Sequence, residues 1–137
     1  MRAYQTKTGK LPGTDFHEVR KSALDVFKMI KKKSKRIPYV RSAYFKKDKI
    51  FLSIFLQHLY EKEKWQERVR RLRYFKVAIE LIENTRFEPN SKENPNKRSE
   101  ILHRFTGVTK EGEIFYVQIK EEKSSGNKYL ISFFPEK

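Results

Sequence analysis

Cysteine is absent from this 137-residue chain. Its absence excludes disulfides, cysteine-based zinc sites and a thiol nucleophile, and it fits a reducing compartment, so a cytoplasmic location is expected. Long apolar runs are also missing. Nothing approaches the ~20 residues that a membrane helix requires, and the opening stretch MRAYQTKTGKLPGTD has no apolar core segment, so no signal peptide is expected. Glycine is sparse, at five residues, and forms no loop suited to cradling a nucleotide phosphate. No His/Asp/Glu group has metal-ligand spacing. Neither a metal nor a cofactor is therefore expected.

Acidic residues are scarce relative to basic ones. The chain holds 32 Lys/Arg against 17 Asp/Glu, a net charge of +15. The excess is uneven: residues 1–50 carry +11, residues 51–87 carry +3 and residues 88–137 carry only +1. Such an excess favours a polyanionic partner, because each Lys/Arg–phosphate contact releases condensed counterions. RNA is the expected partner. An anionic membrane fits less well, since the basic segments lack a broad exposed apolar face.

The chain reads as one α+β domain, with N-terminal helices packed on a C-terminal antiparallel β-meander of three to four strands. Residues 1–13 look like a flexible lead-in and residues 14–85 are helical. Thr14 or Asp15 caps a first helix, assisted by Glu18. Phe16, Val19, Ala23, Val26, Phe27 and Ile30 form its apolar stripe. Lysines crowd its C-terminal end, which suits the helix dipole, and Pro38 forbids simple continuation. Tyr39–Tyr44 fits either a short strand or a turn. Asp48 is placed to cap a second helix over about 49–62, and a third covers roughly 64–84. Residues 86–99 read as a loop, with two prolines, three asparagines and no periodicity in RFEPNSKENPNKR.

The remaining 100–135 segment reads as three strands. In Glu113–Glu121, Phe115, Val117 and Ile119 alternate with Tyr116, Gln118 and Lys120. Gly112 and Ser124-Ser125-Gly126-Asn127 supply the turns. This sheet carries the candidate chemistry. His103 has the side chain best suited to moving a proton to or from a ribose hydroxyl near neutral pH; the alternative is a half-buried imidazole with both nitrogens bonded. Arg104 can hold a phosphate bidentately, but it leaves the opposite face of an ideal strand from His103. Lys120 can neutralise charge on a pentacovalent phosphate. Ser132 can hold a phosphate oxygen or orient an imidazole. RNA contacts are expected from Arg68, Arg70, Arg71 and Arg73 in the RVRRLRYFK stretch, from Lys32, Lys33, Arg36 and Arg41, and from Tyr116 and Gln118 on the sheet.

The blocks LHRFTG, GEIFYVQIKE and KYLISFFP, between Glu100 and Pro135, resemble the phage- and mobile-element-associated branch of the barnase–EndoU–colicin–RelE nuclease superfamily. The resemblance covers about a quarter of the chain. It implies helices against an antiparallel sheet of about four strands and a metal-independent ribonuclease of toxin type, leaving a 2′,3′-cyclic phosphate. It would make His103 the acid–base residue, with Arg104 and Lys120 binding phosphate. Ser132, two residues before Phe134, resembles the hydroxyl-plus-aromatic pair on the last strand of EndoU-type toxins. Those sites use two histidines where this sheet offers one, and Phe134 stands in place of a tyrosine. An acidic antitoxin or immunity protein is the expected protein partner. The rival expectation is a non-catalytic basic module that binds nucleic acid.

Overall fold

The computed structural model describes residues 2–34 and 36–136. Among them lie seven strands and five helical segments. The first strand, β1 (Tyr4–Gln5), precedes α1 (Phe16–Lys33). β2 (Tyr39–Arg41) and β3 (Lys49–Phe51) follow. Then come α2 (Ser53–Leu59), α3 (Lys62–Gln66), α4 (Val69–Leu72) and α5 (Phe75–Asn84). The chain ends in β4 (Asn90–Glu93), β5 (Glu100–Val108), β6 (Ile114–Glu122) and β7 (Lys128–Pro135). No helix among the described residues is long and apolar enough to cross a membrane.

The first helix forms as its sequence predicts. Asp15 accepts a hydrogen bond from the Glu18 amide at 3.0 Å, while Glu18 accepts from the Thr14 amide at 3.3 Å. Donors left free at a helix start are thus satisfied by side chains. Phe16, Val19, Ala23, Phe27 and Ile30 are buried along one stripe.

The meander β5–β6–β7 is present and antiparallel. The sheet as a whole is mixed, which corrects the expectation of helices stacked over a purely antiparallel C-terminal sheet. β1 pairs with β5 in parallel, and β3 pairs with β7 in parallel. The strand order is β1-β5-β6-β7-β3-β2, with β4 also paired to β5. The N-terminal half therefore supplies both flanks of the sheet. Its first residues are tied down rather than free: Glu80 accepts from the Tyr4 hydroxyl and from the Lys7 and Thr8 amides, and Leu11 is buried. The expected loop also contributes, because β4 lies inside 86–99.

Two helix expectations are corrected as well. Lys49–Phe51 is strand, not helix: Ile50 faces the core while Phe51 faces the other way, a period of two. Asp48 serves there as the ion-pair partner of buried Lys128, at 2.9 Å. The long helix over 64–84 is broken into three. Trp65 and Phe75 would stand roughly 15 Å apart along one straight helix, yet their rings lie 6.0 and 5.9 Å from the same Phe133 ring. Bends at Arg68 (φ −120°, ψ 30°) and Tyr74 (φ −87°, ψ 2°) make that convergence possible.

One face of the sheet carries the core. Phe105, Phe115, Val117, Ile119, Leu130 and Phe133 are buried in one cluster with Phe55, Leu59, Leu72 and Phe75 from the helices. An irregularity in the β6–β7 ladder controls the other face. Gln118 pairs with Ser132 and Ile119 with Leu130, leaving Ile131 as an extra residue. This bulge shifts the alternation of β7, so Lys128, Leu130 and Phe133 are buried while Tyr129, Ser132 and Phe134 stay partly exposed.

Candidate nucleic-acid interface

Strand register assembles the open face of the sheet from side chains far apart in sequence. One cross-strand row runs Lys92, Leu102, Lys120, Tyr129, Phe51, Tyr39 from β4 to β2. The next row holds Asn90, Arg104, Gln118 and Ser132. A third holds Thr106, Tyr116 and Phe134. Residues directly opposite on one face stand within side-chain reach, so these rows are contiguous surface.

Cations and aromatic rings alternate across it. The Arg104 guanidinium lies 5.4 Å from the Tyr116 ring centre and 5.5 Å from that of Phe134. The Lys120 ammonium lies 5.2 Å from the Tyr129 ring. Arg41 and Lys49 lie 5.3 and 4.7 Å from Tyr39. Tyr116 and Phe134 are 5.6 Å apart, Tyr129 and Phe51 5.7 Å, and Tyr39 and Phe51 6.4 Å. Between the two ring clusters, the Ser132 hydroxyl donates to the Gln118 carbonyl oxygen at 3.0 Å. Asn90, Lys92, Leu102, Arg104 and Gln118 line a small cavity of about 110 Å³ beside it.

Two carboxylates border this surface. Glu100 lies 3.4 Å from the Lys120 ammonium. Burial pushes the Glu100 carboxyl up, but hydrogen bonds from Asn94 and Lys97, with Lys120 nearby, outweigh it and hold the group below its ordinary range. The Tyr116 hydroxyl donates to Glu136 at 2.6 Å. That hydrogen bond is the main reason the phenol titrates above its usual value.

His103 occupies the opposite face. The residue is only 7% exposed, and its ring packs edge-on against Phe45 at 4.9 Å. Nδ1 lies 2.6 Å from the Ser91 hydroxyl and Nε2 lies 2.8 Å from Glu121. An Nε2–H tautomer satisfies both contacts, donating to Glu121 and accepting from Ser91. The expected constellation is thereby divided. Arg104, Lys120 and Ser132 share the open face with Tyr116 and Gln118, and strand alternation sends His103 to the core side. No bulge in β5 brings it back. His103 therefore does not share a site with the other three, contrary to expectation.

The helical cations also separate. Arg70 and Arg71 line a shallow depression with Phe134 and Pro135 at the rim of the open face. The Arg71 guanidinium lies 5.2 Å from the Phe134 ring, and its buried Nε has no hydrogen-bond partner among the described residues. Burial, together with neighbouring Arg68, lowers its affinity for the proton. Arg68 is exposed. Arg73 instead has a structural contact, its Nε donating to the Leu11 carbonyl at 3.0 Å. Lys32, Lys33 and Arg36 are exposed at the end of α1. Lys33 and Arg41 border a mostly apolar cavity of about 620 Å³ between α1, α5 and β2.

Sequence reasoning missed Tyr39, Phe51 and Lys92 on this face, and it missed Ser91 and Glu121 around His103. Alternation within β6 could have placed Glu121 with Ile119. Nothing local reveals that β3 and β4 join the sheet. No family model matches the chain, and no curated protein or solved structure matches it.

Proposed function

We propose that the protein binds RNA on the open face of its sheet and cleaves it there without a metal ion. One observation carries the proposal: Arg104, Gln118 and Ser132 stand side by side on three strands, with Lys120 and two aromatic clusters around them. The chain's net charge of +15 supplies long-range attraction for a polyanion. The resemblance of residues 100–135 to metal-independent ribonucleases agrees with this reading.

In the proposed reaction, the ribose 2′-oxygen attacks the adjacent phosphorus and loses its proton. The bond from phosphorus to the 5′-oxygen breaks, and that oxygen gains a proton. The products are a 2′,3′-cyclic phosphate and a 5′-hydroxyl. Arg104 would grip two non-bridging oxygens, and Lys120 would offset the charge that builds on phosphorus. Tyr116, whose hydroxyl donates to Glu136 at 2.6 Å, would form with it the proton-handling pair beside Arg104. His103 has no part in this scheme.

Binding without scission is the second reading, favoured by the burial of His103 away from the face. Incubation with total RNA and a labelled tRNA in EDTA separates the two. Cleavage expected from wild type should leave 2′,3′-cyclic ends and fall at least 100-fold in Arg104→Ala. Intact RNA retained by wild type and released by Arg104→Ala would establish binding alone. RNA that is neither cut nor retained at physiological salt would overturn both.

A further inference from the structure

We infer that the open face takes a single strand rather than a duplex, and holds it at two aromatic stations that bracket the Arg104–Lys120 centre. This rests on the reading that the face binds nucleic acid, and it names the form of nucleic acid bound. The first station is Tyr116 with Phe134, flanked by Arg104 and Arg71. The second is Tyr129 with Phe51 and Tyr39, flanked by Lys120, Lys49 and Arg41. Every ring in both is partly exposed.

The geometry favours unpaired bases for two reasons. Rings lying on a sheet surface recognise bases by stacking, which requires bases free to splay from their neighbours. Duplex readers instead insert a helix or a two-stranded ribbon into a groove, and the side chains of this face belong to a broad sheet. The charges suit a single strand too. Each station pairs rings with cations, so a base and its own phosphate are served together.

Spacing sets the length of strand. Tyr129 and Phe134 lie on one strand, five residues apart with one residue in the bulge. At about 3.3 Å per residue their side chains stand roughly 13–16 Å apart. That is about four nucleotides at the ~3.4 Å rise of a stacked strand, and fewer when extended. Between the stations lie Gln118 and Ser132, with Arg104 beside them. A phosphate near the middle of the bound segment is thus the one presented to Arg104.

Fluorescence anisotropy with labelled oligodeoxythymidylates of two, four, six and ten nucleotides tests this, because DNA lacks the 2′-hydroxyl and survives any cleavage. The affinity should rise at least 10-fold from two to six nucleotides and then level off. A hairpin duplex of the same charge should bind at least 10-fold more weakly than the hexanucleotide. Tyr116→Ala and Tyr129→Ala should each lose about 10-fold, the usual scale for one stacked base. Tyr116→Phe and Tyr129→Phe keep the ring and should recover most of the affinity that the alanine variants lose, which separates stacking from misfolding. Equal affinity for duplex and single strand, or for two and six nucleotides, overturns the inference. Failure to cut RNA alongside this binding pattern would sink the ribonuclease reading and leave the two stations standing. Cleavage of RNA by a protein that prefers duplex would do the reverse.

Discussion

The Nε2 atom of His103 lies 2.8 Å from the Glu121 carboxylate, across one strand boundary and on the core side of the sheet. With Ser91 on Nδ1, the imidazole is fully engaged in joining β4, β5 and β6. The expected consequence of His103→Ala is lost stability, about 1–3 kcal/mol, because Glu121 loses a partner in a half-buried position. Glu121→Gln still accepts from the ring and should cost about 1 kcal/mol or less. Urea unfolding measures both. At temperatures where the His103 variant stays folded, its affinity for a single strand should match wild type within twofold. A greater loss would return the imidazole to the binding site.

Glu80 offers a prediction in pH. Burial pushes its carboxyl up, but hydrogen bonds from Thr8, Lys7 and Tyr4 prevail and hold it below its ordinary value of 4.5. A depressed folded-state value means the anion is favoured by folding. The stabilisation is complete above 4.5 and disappears as pH falls through the folded value. Glu80→Gln should therefore be less stable at neutral pH and lose less on acidification. The same contact acts at the alkaline end. Burial, with the hydrogen bond to Glu80, raises Tyr4 from 10.0 to about 12. Its neutral form is favoured by folding, so this contribution holds below 10.0 and is lost as pH rises through about 12. Tyr4→Phe should flatten that limb, as read from urea midpoints between pH 8 and 12.

Gly107 is tested by a single methyl group. A Cβ there would lie 2.5 Å from the Phe115 ring and 2.6 Å from a Leu81 methyl. Both residues are fully buried and cannot swing away. Gly107→Ala should cost about 1–3 kcal/mol by overpacking where α5 crosses β5 and β6. A melting temperature unchanged by this substitution would contradict that close approach.

Arg104 should show itself in salt dependence. If it neutralises one phosphate, Arg104→Ala should flatten the plot of log affinity against log salt by about 0.7 for a single strand. Arg104→Lys should restore the slope but not the full affinity, since an ammonium cannot grip two oxygens in a plane. Arg73→Ala, whose guanidinium is bound to the Leu11 carbonyl, should leave the slope unaltered.

How much of this was legible in the chain depended on element length. α1 and the β5–β6–β7 meander were readable because each repeats its pattern for eight or more residues. β1, β2 and β3 span only two or three residues, too short to establish a period, and β3 finds its partner almost eighty residues later in Lys128 and Tyr129. The apolar stripe through Trp65, Val69, Leu72 and Phe75 is real, but the demand of several rings for one contact with Phe133 broke it into turns. In the candidate site, strand alternation correctly warned that His103 and Arg104 diverge. It could not reveal that Tyr39 and Phe51 extend the face, since that follows from pairing and not from local sequence.

The extra residue at Ile131 has a consequence for reading relatives of this chain. Counting by twos from Phe133 assigns Tyr129 to the core; only the bulge returns it to solvent. A related sequence with a regular seventh strand would need its aromatic one position nearer Phe133 to present the same ring. Matching the two strands position by position, without a gap, would then equate an outward side chain with an inward one. Any alignment across this strand must place its gap by ladder position, at Ile131, if surface residues are to be compared with surface residues.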